Sequence, residues 1–217
     1  MTPLDALLLV LYVLIVYQVL TGAIAKLDKR AKVNLSEDKL KADLEARNLQ
    51  DMVKFKFKFE KTYSLSDSLK KLSITVTNKS NDTLYVDWDR SSLTNFKERS
   101  RRVIRLTPNK RPDLIRAQVV SAISPMRQIE EEITAEDVFN QEAESASLDL
   151  GGVIVPVERP KPKKGQPEPK GPPTFYLYLW VEGKLTNEDE GSSQEFRHLI
   201  PFEFIISKRP WTDALPW

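Results

Sequence analysis

The carboxyl groups of Asp87 and Asp89 and the imidazole of His198 are the side chains of this sequence with the clearest chemical potential. The two aspartates lie two positions apart, so in a strand they would point to the same side and could share a cation. Without further oxygen ligands this is a weak metal signal. We interpret the pair as the end of a strand beside a turn, with Trp88 in the core. An enzyme using all three groups would need them to converge in one cleft.

The composition argues against most other reaction chemistry. His198 is the only histidine and cysteine is absent, which excludes a thiolate nucleophile, a disulfide and a cysteine-ligated metal centre. His198 falls in a predicted strand, where we expect a structural role. The sequence contains no GxSxG, Walker A or dinucleotide-binding glycine pattern. We interpret Glu130 to Glu132 as the solvated start of a helix, and we predict no enzyme activity, no cofactor and no metal site.

Two blocks of opposite charge lie in the middle of the chain. Residues 90–116 hold nine basic and two acidic residues, whereas residues 126–150 hold eight acidic residues and one basic residue. The blocks could face each other and cancel, or could lie on separate surfaces that orient the protein on a membrane or a partner. In the second case the arginines would bind phosphate, lipid headgroups or acidic protein. These candidate partner-binding residues are Arg99, Arg101, Arg102 and Arg105.

The net charge of +2 is too small for a typical nucleic-acid binder, and the basic block lacks interleaved aromatic residues, so we expect no nucleic-acid partner. Two proline-rich segments offer other contacts. Residues 158–173 contain six prolines and predict an extended Pro/Lys-rich loop between two core strands. In the tail, Trp211 and Trp217 could fold back on the domain, insert at a bilayer interface or anchor in a partner's pocket.

The N-terminal segment predicts a membrane anchor. Residues 6–20 contain one clearly polar residue, Gln18, and show no polar stripe of the kind that core helices carry. A helix from about Leu4 to Ala25 would have the roughly 20 residues that a bilayer requires. The Ala-Ile-Ala sequence ending at Ala25 also fits a cleaved signal peptide, but the start MTPLD lacks the basic residues of such a peptide.

The flanks of this helix predict its orientation. Lys26, Lys29, Arg30 and Lys32 follow the helix, and neither Lys nor Arg precedes it. Because basic flanks stay on the cytoplasmic side, we predict an outer or luminal N-terminus and a soluble domain on the cytoplasmic, or topologically equivalent, side. The absence of cysteine agrees with a reducing compartment.

Alternating apolar and polar residues predict strands in the soluble part. Residues 53–60 read VKFKFKFE, with phenylalanines on one face and lysines on the other. Residues 72–77 and 83–88 flank a polar turn and predict a hairpin. Residues 36–48 predict a short helix, either a spacer near the membrane or a helix packed on the domain. Four further segments are strand candidates: residues 102–107, 153–157, 175–185 and 196–206. The total of about seven strands indicates a sandwich or barrel.

The segment LYVDWDRSSL, which follows the polar turn, resembles the second and third strands of immunoglobulin-like modules of bacterial envelope and membrane-anchored proteins. The resemblance implies a fold and no site residues. The predicted fold class is therefore mainly β, an immunoglobulin-like antiparallel β-sandwich tethered by a transmembrane helix and a short linking helix. The predicted segments are the anchor with its basic flank (1–32), the linking helix (33–50), the sandwich (51–207) and the tail (208–217).

These patterns predict a membrane-anchored, non-enzymatic accessory, assembly or scaffold subunit. Its partners would be the lipid bilayer and a larger membrane protein complex, bound through the cytoplasmic-face domain. The alternative is a membrane-tethered module that binds a lipid or small ligand. A large apolar cavity would favour the alternative, and a solid core with an exposed aromatic patch would favour the accessory subunit.

Overall fold

The computed structural model describes residues 3–27, 30–107, 116–139, 150–160, 171–187 and 192–208. Within these ranges the chain is mainly β, with an apolar N-terminal helix and a curled antiparallel sheet. The helices are α1 (Pro3–Leu27) and α2 (Glu37–Ala46), with a 3-10 turn at Glu136–Val138. The strands are β1 (Arg30–Leu35), β2 (Val53–Lys58), β3 (Tyr63–Ser64), β4 (Ser68–Leu69), β5 (Leu72–Asn78), β6 (Leu84–Thr94), β7 (Ser100–Leu106), β8 (Ser121–Ile123), β9 (Gln128–Ala135), β10 (Val155–Pro156), β11 (Thr174–Asn187) and β12 (Ser192–Lys208).

Strand β7 is the point at which the sheet curls. Among the described residues the strand order is β2, β5, β9, β7, β6, β11, β12, β1, β3, with β8 also beside β6 and with β4 and β10 in a separate ribbon. The first part of β7, Ser100 to Arg102, pairs with β6, whereas Val103 to Leu106 pair with β9. Further along β6, β8 occupies the side that β7 has left. One strand thus belongs to both halves of the sheet.

The curl closes where β2 packs against β12. The ring centroid of Phe202 lies 4.9 Å from that of Phe55 and 5.1 Å from that of Phe57, both in edge-to-face geometry. Phe204 lies 4.9 Å from Phe57 and is completely buried, as is Phe202. The lysines of β2 are exposed. The alternation predicted for β2 is confirmed: Phe55 is buried in the core, and the partly buried Phe57 packs against it.

The predicted hairpin of residues 72–77 and 83–88 is wrong. Both strands exist, but β5 pairs with β2 and β9, whereas β6 pairs with β11, β7 and β8. The connection between them passes from one half of the sheet to the other. Asn78 shapes it, because its buried side-chain amide donates to the carbonyl oxygens of Asp82 (2.7 Å) and Ile123 (2.9 Å). A polar turn therefore does not by itself make its flanking strands partners.

Two further elements differ from the sequence analysis. Glu130 to Glu132, interpreted as a helix start, lie in β9, where pairing with β5 and β7 overrides their preference for helix. β1, which lies across the predicted boundary between anchor and linking helix, pairs with β12 and β3. The sheet therefore begins at Arg30. The short helix is confirmed as α2, and it packs on the domain through the buried Leu40 and Leu44.

Helix α1 differs from a core helix because its described side chains up to Ala23 are exposed. The stretch Pro3–Ala23 is long and apolar enough to cross a membrane. Insertion in a bilayer and its orientation remain predictions.

Truncation of Phe202 to alanine should reduce the free energy of unfolding by about 3–5 kcal/mol, because it removes a fully buried ring from the contact that closes the curl. Urea denaturation of the detergent-solubilised chain measures this loss. Phe59→Ala is the matched control, since Phe59 is half-buried and should cost clearly less. Equal losses would contradict the central role of the contact between β2 and β12.

Candidate functional site

The candidate arginines occupy β7 and the turn before it, and most are engaged within the domain. Arg101 is 3% exposed, and its guanidinium donates to the carboxylate of Asp137 (3.0 Å) and to the carbonyl oxygen of Ile154 (2.7 Å). Arg99, at the end of the turn, is exposed. Arg101 therefore links the 3-10 turn and the segment before β10 to the sheet through hydrogen bonds. Its guanidinium is not available to a partner in this conformation.

Arg105 belongs to a polar chain that satisfies the buried Trp88. The Trp88 indole, 1% exposed as predicted, donates to the hydroxyl oxygen of Ser121 at 2.9 Å. Arg105 donates to the same oxygen at 2.8 Å and to the carboxylate of Glu131 at 3.2 Å. These contacts join β6, β8, β7 and β9 at the curl, where a buried indole N–H without an acceptor would be costly.

Asp89 is the acceptor for a second polar cluster. Its carboxylate accepts from Arg102 Nε (3.0 Å) and Nη2 (2.5 Å), and from the backbone N–H (2.8 Å) and side-chain amide (2.9 Å) of Gln118. Partial burial raises the pKa of Asp89, but the hydrogen bonds from Gln118 and Arg102 outweigh it and leave the pKa below its ordinary value. The carboxylate is therefore held as an anion by groups of the same chain.

The side chain of Gln118 provides hydrogen-bond partners for the backbone of β7 at the curl. Where β7 leaves β6, the backbone N–H of Arg105 and the carbonyl of Val103 lose a strand partner on that side. The Gln118 side chain replaces it, since its oxygen accepts from Arg105 N (2.8 Å) and its nitrogen donates to Val103 O (2.7 Å). Sequence reasoning missed this residue because a glutamine outside any periodic segment carries no local signal for such a role.

The pairs Arg101–Asp137 and Arg105–Glu131 join the two charge blocks. For these residues the structure shows the first of the two alternatives, in which the blocks face each other. Of the other candidate residues, Trp211 and Trp217 lie outside the described residues, as does most of the loop 158–173.

The groups considered for catalysis have separate structural surroundings. Asp87 Oδ1 accepts from the backbone N–H of Asp89 (3.0 Å), and Asp89 is occupied by Arg102 and Gln118. The His198 ring stacks on that of Phe196, with centroids 5.7 Å apart. Burial, with the positive charge of Arg47, lowers the pKa of His198, so it is neutral at neutral pH. Among the described residues, three or more metal-ligating side chains do not come together.

The most distinctive surface is the outer side of β6, β11 and β12. Tyr176, Tyr178 and Trp180 alternate with buried residues on β11, so they share one side of the sheet. Trp180 pairs with Leu199, which is 38% exposed, and Tyr178 pairs with Pro201. Tyr85, 43% exposed, pairs with Glu182 on the same side. We call this surface the outer aromatic face: Tyr85, Tyr176, Tyr178, Trp180, Leu199 and Pro201.

Charged groups frame the outer aromatic face. The Arg90 guanidinium lies 5.3 Å from the Trp180 ring centroid and 3.2 Å from the carboxylate of Glu182, which also accepts from the Trp180 indole at 2.7 Å. At the other end of the face, Glu203 accepts from Ser36 (2.8 Å) and Tyr176 (3.1 Å). Burial raises the pKa of Glu203, but these bonds and Lys39 more than compensate and lower it. The aromatic side chains are thus held in place by hydrogen bonds and stacking.

Gln118→Ala should reduce the free energy of unfolding by about 1–3 kcal/mol, because it leaves backbone groups of β7 without partners in a part-buried site. Gln128→Ala is the control, since Gln128 is exposed and accepts one long hydrogen bond, 3.4 Å, from Thr77. Thermal or urea unfolding of both variants measures the difference. A similar small loss in both would show that the curl does not depend on Gln118.

Asp89 should make stability depend on acidic pH. Its pKa is lowered in the folded state, so its stabilising contribution is complete above the ordinary value of 3.8 and is lost as pH falls through the folded value. Asp89→Asn should therefore unfold with a shallower loss of stability on acidification than the parent protein. Urea midpoints over a pH series test this. Asp51→Asn, at an exposed turn, is the matched control for the removal of one carboxylate.

Comparison with protein-family models, with curated proteins and with solved structures finds no significant match to this chain. The surfaces and contacts described above are therefore the basis on which a function can be assigned.

Proposed function

We propose that this protein is a non-enzymatic, membrane-anchored accessory or assembly subunit that binds a larger membrane protein complex through the outer aromatic face. Helix α1 holds the domain at the bilayer, on the cytoplasmic or topologically equivalent side. In this proposal the curled sheet is an immunoglobulin-like sandwich with β2, β5 and β9 in one layer. Its support is the packing of β2 on β12.

The outer aromatic face is the observation that carries the proposal. Trp, Tyr and Arg are the residues that most often dominate binding energy at protein interfaces, and here Trp180, Tyr178 and Arg90 lie together on one side of a sheet. Hydrogen bonds and stacking already restrict these side chains, so a partner would lose little rotamer entropy in ordering them.

The core and the arginines support the same choice. The interior beneath the face is filled by the phenylalanine cluster around Phe202, which favours an interaction protein over a module with an apolar ligand cavity. The internal contacts of Arg101, Arg102 and Arg105 make these three arginines poor candidates for partner binding. We therefore move the partner site from the basic block to the outer aromatic face.

The anchor defines where the partner must be. The exposed apolar surface of α1 needs a lipid or protein environment, because a continuous exposed patch of this kind is unfavourable in water. Basic residues follow the helix, and this charge asymmetry supports the cytoplasmic orientation. A complex in the same membrane is then the partner that α1 brings into reach.

The test is a pull-down of the tagged full chain from its native membrane in a mild detergent. We expect a defined set of membrane proteins to co-purify, and Tyr178→Thr with Leu199→Thr to lower their affinity by at least about thirtyfold, since a hot-spot aromatic contributes about 2 kcal/mol or more. Threonine keeps the β preference of both positions. An unchanged melting temperature verifies that the variant is folded.

Met126→Ala is the matched control, because Met126 is 64% exposed, lies in the turn between β8 and β9 and is not one of the residues of the outer aromatic face. It should co-purify the same proteins as the parent chain. If both variants retain the partners, the outer aromatic face is not the binding surface. If the parent chain is recovered alone with bound lipid, the accessory-subunit proposal fails.

A further inference from the structure

Several segments of the chain meet at the end of the sheet where β1 begins, which we call the α1 end. Ala31 pairs with Lys208, so the last residue of β12 lies beside the first residues of β1. β11 starts at the same end, since Thr174 pairs with Ile205. The strands that carry the outer aromatic face therefore run from the α1 end towards the opposite end of the sheet.

The turn between β6 and β7, residues 95–99, also lies at the α1 end. The backbone N–H of Tyr176, near the start of β11, donates to the hydroxyl of Thr94 at 3.0 Å, so β6 ends where β11 begins. Asn95 shapes the turn, because its side-chain oxygen accepts from the backbone N–H of Lys97 (2.9 Å) and of Arg99 (3.3 Å). The side chains of Lys97 and Arg99 are exposed on a turn of defined shape.

Arg159 shows that the segment after β10 is a neighbour of this turn. Its guanidinium lies 5.7 Å from the ring centroid of Phe96 and donates to the carbonyl oxygen of Pro172 at 3.2 Å. The carbonyl of Pro173 in turn accepts from the backbone N–H of Ile206 at 2.9 Å. Residues distant in sequence are thus collected at one end of the domain.

Among the described residues, the α1 end carries more cations than anions. The acidic side chains described there are Asp67, Glu98 and Glu158. Its exposed cations take part in no ion pair within the described residues, unlike Arg101 or Arg105. These cations are Arg30, Lys32, Lys97, Arg99 and Lys208.

With α1 in the bilayer, as proposed above, these cations lie close to the lipid headgroups. Two residues lie between Leu27, the end of α1, and Arg30, so the Cα atoms of Leu27 and Arg30 are at most about 11 Å apart. β6 and β1 are three strand spacings apart, or about 15 Å. The cations of the α1 end can therefore face the same membrane surface together. Charges beyond about 8 Å from a surface are screened at physiological ionic strength, but this end can approach within that distance.

We infer that the α1 end is a binding surface for the headgroups of anionic lipids. Arg30, Lys97 and Arg99 are its central residues, and the proposed membrane anchorage is its precondition. Binding sets the strands steeply to the membrane, so the outer aromatic face is directed sideways, towards a neighbouring protein of the same membrane.

The absence of cysteine allows a test on the full chain with single labelled cysteines. A fluorophore at Ser66→Cys reports on the α1 end and one at Met126→Cys on the opposite end. The chain is reconstituted in vesicles that contain a headgroup-labelled quencher lipid. We expect stronger quenching at Ser66→Cys than at Met126→Cys, rising when phosphatidylserine is added to phosphatidylcholine and falling at high salt.

The triple variant Arg30→Gln, Lys97→Gln and Arg99→Gln should lose the phosphatidylserine-dependent quenching. We expect the docking equilibrium to fall about fivefold for each cation removed. The matched control is Lys54→Gln, Lys56→Gln and Lys79→Gln, which removes the same charge from exposed sites on β2 and the turn after β5. It should behave as the parent chain.

Vesicle flotation in phosphatidylcholine alone at high salt separates the inference from the proposed anchorage. Failure to float would remove the anchor and with it the accessory-subunit proposal. Two outcomes in a chain that floats would overturn the lipid-binding surface while leaving the anchor intact. One is quenching that does not change with phosphatidylserine, and the other is equal quenching in the triple variant and its control. An acidic protein would then be the better candidate partner for these cations.

Discussion

The change of partner by β7 is the constraint on which the rest of this domain depends. A strand that leaves one neighbour for another exposes backbone N–H and C=O groups at the point of divergence, and buried groups of this kind must find new partners. Gln118 supplies them for Val103 and Arg105. The packing of Phe55 and Phe57 on Phe202 then closes the curl, so that hydrogen bonding permits the shape and apolar burial stabilises it.

The same divergence explains the arginines, which in sequence look like an adhesive patch. Arg102 and Arg105 flank the point where β7 separates from β6, and each donates to an acceptor in a different segment. Guanidinium groups suit this task because they have several donors in a fixed plane and a long apolar stem. The opposite charges of the two blocks thus serve largely to hold segments of the domain together.

The proposed binding surface consists of residues that the curl leaves outside the core. The outer side of β6, β11 and β12 keeps its aromatic residues at the surface, because the inner side already provides the core. Antiparallel pairing of β1 with β12 brings the end of β12 beside the start of β1, which follows α1 in the sequence. The proposed membrane-facing end and the proposed partner-facing side would both follow from this one topology.

The sequence by itself determined the features that depend on local periodicity: the apolar helix α1, the alternating faces of β2, the short helix α2 and the buried Trp88. Only the tertiary structure decided which strands pair, because β5 and β6 each find better partners far along the chain. It also decided that Glu130 to Glu132 lie in a strand and that Arg101, Arg102 and Arg105 form ion pairs within the domain. The immunoglobulin-like sandwich and the membrane orientation stay predictions. Periodicity encodes which side of an element is buried, whereas its neighbours depend on contacts between distant residues, which no local pattern contains.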